Sequence, residues 1–307
     1  MNKTMPIPLV PLHPNGPMCS QLIFGAWRLS TWKLSTLELI ELLHASIDLG
    51  ITTVDHADIY GDYSCEGLFG AALRDEPGLR AKLQLISKCG IKLVSAQRPG
   101  HSVKHYDTTR AHLLASVDRS LSNLHTDHLD LLLLHRPDPY MDVSETAEAL
   151  EHVVKAGKVR FVGVSNFTPS QYDLLASRLS IPLVTNQIEI SVLKLNAFTD
   201  GSLDHCQIKH IAPMAWSPLG GGSLFNGTTP QAERLRTTLA DVGQHHGNAS
   251  IDVVALAWLL NHPAHIFPVL GTGKVQRLEA AAEAVNLKLT REQWFKIWSA
   301  STGVNVP

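Results

Sequence analysis

Val54-Asp55-His56-Ala57-Asp58-Ile59-Tyr60 is the stretch around which the rest of the sequence organises itself. The β-branched run Ile51 to Val54 leads into it and reads as a buried strand. Asp55 therefore stands where that strand runs out, and Tyr60 follows in the connection. Two further polar residues end similar apolar runs. Lys88 closes Leu83-Gln84-Leu85-Ile86-Ser87, and His135 closes Leu129-Asp130-Leu131-Leu132-Leu133-Leu134. An Asp, a Tyr, a Lys and a His delivered by successive strand ends form a constellation suited to proton transfer.

Outward from this stretch the chain alternates strand and helix signals. Upstream, apolar stretches over residues 7–23 flank His13-Pro14-Asn15-Gly16, and Asn-Gly is a strong hairpin-turn signal. Leu22-Ile23-Phe24-Gly25 reads as a strand. Ser35 with Glu38 then makes a capping box, Leu39, Leu42, Leu43 and Ile47 share one helical face, and Gly50 ends it. Helices are expected near 64–74 and 108–123. Another begins at Asp142 and Glu145, with Val143, Ala147, Leu150 and Val154 on one face, and ends at Gly157. The strand Val159 to Val164 precedes Thr168-Pro169-Ser170-Gln171, a second capping box with proline at the first helical position. Further strands fall at Leu183 to Asn186, Ile211 to Ala215 and Ile266 to Leu270. Helices follow near 232–246, 250–261 and 275–285, and a last one starts at Thr290.

An open doubly wound sheet and a closed eight-stranded barrel both alternate in this way. The count of eight strands favours the barrel, and no G-x-G-x-x-G follows the first strand, as a dinucleotide-binding sheet would show. The expectation is an α/β fold, a (β/α)8 TIM barrel with an N-terminal β-hairpin, forming a single domain over residues 1–307. Barrel strands present functional residues at their C-terminal ends. Those ends carry Asp55, Lys88, His135, Ser165-Asn166, Gln187, Trp216-Ser217 and Gly271-Thr272.

Composition narrows the function classes. The 307 residues carry a net charge of −2 with 18 % charged residues, no footprint for nucleic acid or an anionic membrane. A hydrophobic fraction of 44 % suffices for a large core. Cys19, Cys65, Cys89 and Cys206 are scattered without zinc spacing, which suits a reduced compartment. Prolines at 6, 8, 11 and 14 interrupt any signal-peptide run, and no apolar run reaches membrane-span length. A cytoplasmic protein is expected, with no metal.

The constellation has a direct chemical use. A hydride arriving at a carbonyl carbon leaves negative charge on oxygen, which needs a proton and hydrogen-bond donors. Tyrosine can donate, but its unperturbed pKa of about 10 makes it a sluggish acid. Lys88 beside it would favour the phenolate and lower that pKa, with Asp55 holding the ammonium in place and His135 orienting the carbonyl.

With these residues in this chain order the sequence resembles the aldo-keto reductase superfamily, from Leu22 to about Val285. The resemblance implies NADPH-dependent reduction of a small-molecule carbonyl substrate, with Asp55, Tyr60, Lys88 and His135 as the tetrad and Tyr60 as general acid. Gly163-Val164-Ser165-Asn166-Phe167 matches the family's fifth-strand signature, in which Ser165 and Asn166 would hold the nicotinamide carboxamide, together with Gln187. Trp216 stands where the family stacks an aromatic on the nicotinamide ring. Ser217-Pro218-Leu219-Gly220-Gly221-Gly222 resembles the pyrophosphate loop. Gly271-Thr272-Gly273-Lys274, with Arg277, matches the segment that takes the 2′-phosphate of NADP. Many members have Lys where Gly271 stands and Asn where Ala281 stands, so Lys274 would replace the missing charge. Trp27 would lie over the substrate pocket. The wording of 55–60 and the ending near Trp294 resemble a bacterial branch of predicted NADP-dependent oxidoreductases.

Three other readings stay open. Lys88 at a strand end could serve a Schiff-base aldolase, which needs a depressed lysine pKa. His56, Asp58 and His135 could serve a metal hydrolase, although no H-x-H or H-E-x-x-H is present. A non-catalytic regulatory subunit would keep the fold and the cofactor. The long connection from Cys89 to Tyr106 could form a lid, and Arg136 and Asp138 could pair with each other. The physiological carbonyl, the reaction direction and the oligomeric state are not legible.

Overall fold

The computed structural model describes residues 7–307. Eight parallel strands pair in chain order: Ile23–Gly25, Thr53–Asp55, Gln84–Cys89, Leu129–Leu134, Val159–Ser165, Leu183–Glu189, Met214–Trp216 and Phe267–Leu270. The last returns to the first through Val269 opposite Ile23 and Leu270 opposite Phe24, so the sheet closes into a barrel. Closure excludes the open doubly wound alternative.

Alternation along each strand sorts side chains between two cores. Ile23, Ile86, Leu131, Leu133, Val184, Met214 and Phe267 pack together in the barrel interior, while Leu85, Leu132, Leu134, Val162 and Val164 pack outward beneath the helices. Lys88 lies two residues beyond Ile86 and so shares its inward phase. It sits inside its strand rather than just past the end, because that strand runs on to Cys89. His56 takes the opposite phase from Asp55 and meets Phe69 of the helix Cys65–Asp75, edge to face at 4.5 Å.

An antiparallel hairpin, Leu9–Pro11 with Met18–Ser20, precedes the barrel. Its Leu12 and Cys19 join the interior core, and the Leu12 carbonyl accepts the Ala212 N–H at 2.7 Å. The turn is wider than an Asn-Gly pair implies. Gly16 donates to the His13 carbonyl, which makes Pro14 and Asn15 the central residues.

Helix boundaries follow their caps. The expected capping boxes form at Ser35 with Glu38 and at Thr168 with Gln171, and Thr290 with Gln293 makes a third. Asp142 caps Val143–Lys155. The last helix, Arg291–Thr302, lies on Pro230–Gln244 and stacks Trp294 on Trp258 at 4.6 Å. Two features were not anticipated. A helix Ser202–Ile208 follows the sixth strand, and the connection after Cys89 contains a small antiparallel pair, Ile91–Lys92 with His105–Tyr106. Among the described residues no helix is long and apolar enough to cross a membrane.

Candidate active site

Asp55, Tyr60 and Lys88 meet at the C-terminal mouth of the barrel. Lys88 is fully buried, and its Nζ donates to Asp55 Oδ2 at 2.7 Å, to the His56 carbonyl at 2.8 Å and to Tyr60 Oη at 3.0 Å. All three ammonium protons are thereby directed. The second Asp55 oxygen accepts from Gln187 Nε2 at 2.8 Å. Gln187 reaches it through an irregularity in its strand. The register against Val159–Ser165 shifts between Leu183 and Asn186, so Val184 and Gln187, an odd number of residues apart, both face inward.

The electrostatics depart from expectation at Tyr60. Burial raises its pKa and Asp55 adds to this, and together they outweigh the downward pull of Lys88, so the net direction is up rather than down. The phenol is held protonated. Lys88 moves upward as well. Burial alone would lower its pKa, but Asp55 and Tyr60 more than offset that. An ammonium so held is a poor Schiff-base nucleophile. His135 sits edge to face with Tyr60 at 5.8 Å. Burial, then Lys88, Arg136 and Lys104, push its pKa well below the usual histidine value, and among the described residues its buried Nδ1 has no partner. It is a neutral imidazole facing the phenol.

His56 and Asp58 do not join this group. His56 is fully buried with its pKa pushed down to about 3 by burial and by Lys88. Among the described residues no three His, Cys, Asp or Glu side chains converge in a geometry that could hold a metal ion.

Ser165, Asn166, Gln187 and Trp216 form one connected polar edge beside the group. Ser165 Oγ donates to the Gln187 carbonyl at 2.9 Å, Asn166 Nδ2 to Ser165 Oγ at 2.8 Å, and Trp216 Nε1 to Asn166 Oδ1 at 2.9 Å. Asn166 takes a left-handed conformation (φ 61°), which turns its amide back over the strand end. The donor set fits a planar amide, which needs both donors and acceptors. Ser217 and all three glycines of 220–222 have positive φ, and a Cβ on Gly220 would lie 2.5 Å from Leu193 Cδ1. Left-handed backbone at these four positions gives the loop a formed shape and not a slack turn.

Gly271, Thr272, Lys274 and Arg277 lie at the eighth strand end and the start of the helix Val275–Glu283. Thr272 Oγ1 accepts the Lys274 N–H at 3.2 Å. No side chain caps the helix, and Lys274 and Arg277 are exposed. The segment suits an anion. Gly273 is required there, because a Cβ would come within 2.6 Å of the Trp32 ring.

Trp27 is 57 % exposed after the first strand, so it is not a core residue. The sequence had not singled out its neighbour Arg28, which donates to the Gly221 carbonyl at 2.9 Å and lies 5.2 Å over the Trp27 ring. No spacing signals this tie between segments 193 residues apart. Arg136 and Asp138 do not pair. Asp138 accepts from Thr108 Oγ1 and the Tyr140 N–H, whereas Arg136 lies 5.7 Å from the Trp216 ring centroid.

Known proteins resemble this chain over most of its length. The model of the aldo/keto reductase family matches residues 21–301. The chain is 51 % identical over 288 residues to an uncharacterized oxidoreductase, YcsN, of Bacillus subtilis (strain 168), covering 94 % of this chain and 96 % of that protein. It is 45 % identical to a 6-dehydroglucose reductase of Agrobacterium fabrum, over 94 % of this chain and 96 % of that one. Among solved structures, an aldo/keto reductase from Klebsiella pneumoniae in complex with NADP and acetate superposes with a TM-score of 0.75 at 25 % identity, covering 94 % of each chain.

Proposed function

The chain belongs to the aldo/keto reductase family, and on that premise we propose that it reduces an aldehyde or ketone to the alcohol with NADPH, using Tyr60 as the acid. The observation that carries this reading is the Lys88 ammonium shared between Asp55 Oδ2 and Tyr60 Oη at the barrel mouth. Ser165, Asn166 and Gln187 would hold the carboxamide, Trp216 the ring, and Ser217, Leu219 and Gly220 the pyrophosphate. Gly271, Thr272, Lys274 and Arg277 would hold the 2′-phosphate. When bound, NADPH supplies a hydride equivalent to the carbonyl carbon.

The chain's own residues handle the charge that develops on oxygen. Tyr60, held protonated by burial, donates its proton as the oxygen becomes negative, and Lys88 stabilises the phenolate left behind. Asp55 keeps Lys88 charged and aimed. His135, neutral, offers a hydrogen bond rather than a competing proton. We read residues 1–307 as one domain, and four unpaired buried cysteines fit the cytoplasm.

A carbonyl panel followed by NADPH and NADH absorbance tests this. The panel includes 6-dehydroglucose, because a relative carries that name. Oxidation of NADPH by at least one carbonyl is expected. No turnover with either nucleotide would leave the regulatory-subunit reading. No nucleotide-dependent quenching or thermal shift would remove the cofactor as well.

A further inference from the structure

Arg136 follows His135 at the end of the strand Leu129–Leu134. Its guanidinium is half-buried, and among the described residues it has neither a hydrogen-bond acceptor nor a carboxylate partner. The face of Trp216 lies over it, with the ring centroid 5.7 Å from the guanidinium carbon. Two other cations at the mouth are engaged. Asp55 neutralises Lys88, and Arg28 is tied to the Gly221 carbonyl. Asp138, the nearest carboxylate in sequence, is engaged by Thr108 and Tyr140 instead.

A planar guanidinium carries five donors in a fork that matches a carboxylate, and an indole face accepts none of them in the plane. Leaving such a group partly out of water without a counter-ion is costly unless a ligand supplies one. The position is also right. Arg136 is the next residue after His135, whose ring faces Tyr60 at 5.8 Å, and the Trp216 ring it lies over is bonded to Asn166 at the mouth. A substituent a few bonds from the reacting carbonyl would fall within its reach.

Resting on the carbonyl-reductase reading of the same site, we propose that Arg136 determines specificity by pairing with a carboxylate on the substrate, so the substrate class is small oxo acids. Trp216, whose ring centroid lies 5.7 Å from the guanidinium carbon, gives this pairing an optical reporter.

Succinic semialdehyde and butanal form a matched pair that differs chiefly in the carboxylate. Wild type is expected to favour the acid in kcat/KM. Arg136→Met should lower use of the acid by about ten- to a hundredfold more than it lowers use of butanal, the range for one charged hydrogen-bonded contact. Arg136→Lys should recover part of the loss. Succinate titrated into the cofactor-free protein, followed by tryptophan fluorescence, supplies a readout that needs no turnover. Saturable binding in wild type, weakened in Arg136→Met to a similar degree, is expected. Equal use of acid and neutral aldehyde without succinate binding overturns the proposal. So does an equal loss on both aldehydes in Arg136→Met, which assigns the residue to the electrostatics of Tyr60 and His135 or to folding. If Arg136 instead discriminates glyceraldehyde from propanal and not the acid from butanal, it reads neutral hydroxyls and the oxo-acid class is wrong. Should no carbonyl be reduced while succinate still binds through Arg136, the reductase reading fails and the anion subsite stands.

Discussion

The barrel mouth and the rim at 271–277 are built on opposite plans. At the mouth, Lys88 and Asp55 are buried and every donor and acceptor between them is engaged, with Gln187 and the His56 carbonyl completing the set. At the rim, Lys274 and Arg277 are exposed and the helix begins without a side-chain cap. The mouth is organised before any ligand arrives. The rim keeps its charge in water. Preorganised charge in a water-poor site is strong and costly to perturb, whereas exposed charge contributes modestly and is screened by salt.

That contrast sets the order of expected effects. Tyr60→Phe removes only a hydroxyl and should slow carbonyl reduction by about 10²–10⁴, the share assigned to general acid catalysis, with cofactor affinity nearly intact. Stopped-flow hydride transfer beside a binding titration checks it. A variant that reacts at close to the wild-type rate would show that Tyr60 is not the acid and that the mouth is organised for something else.

Lys88→Met should cost about 3–5 kcal/mol of stability, because it strands Asp55 as an uncompensated buried charge. Denaturant unfolding measures this, and reduction should fall as well. An unfolding midpoint unmoved from wild type would mean that the mouth tolerates disruption as the rim does, which breaks the comparison.

At the rim, Arg277→Ala should weaken NADPH about tenfold to a hundredfold, as expected for loss of one charged hydrogen bond, and NADH far less. Raising the salt concentration should narrow the difference. Equal weakening of both nucleotides would reassign Arg277 to the adenine or to folding.

The smallest effect expected is in the pH profile. His135 and His56 are both depressed by burial, so neither takes up a proton near neutrality. Tyr60 is raised, so it stays protonated through neutral and mildly alkaline pH. kcat/KM should therefore be flat across the histidine range, with loss only on the alkaline side as Tyr60 ionises. Stability carries a separate sign. His56 binds a proton in the unfolded chain near its ordinary value but in the folded chain only near about 3, so stability falls as pH drops through that window. A histidine-like inflection in kcat/KM would mean that His135 is not the buried neutral group described.

The sequence alone determined the architecture and picked out most of the residues that the fold gathers at the barrel mouth. Eight apolar runs, several followed by cap chemistry, specified strands and helices because burial and hydrogen-bond satisfaction act locally along the chain. Asp55, Lys88, Gln187 and Trp216 stood out because a polar or mixed side chain near the end of a buried run requires a reason. Tertiary structure decided what those groups are to one another. Closure of the barrel brought Gln187 to Asp55 across 132 residues, and a register shift set the face that Gln187 presents. The direction of the Tyr60 shift was also decided there, since burial depends on the whole enclosure while the Lys88 contact is a single pair. His56 and Asp58, next to the reactive residues in sequence, left the site by the alternation of the strand and its connection. Arg136 found Trp216 instead of Asp138 for a similar reason. Chain proximity says which residues can meet cheaply, and only the packed fold says which desolvated charges are left with a partner.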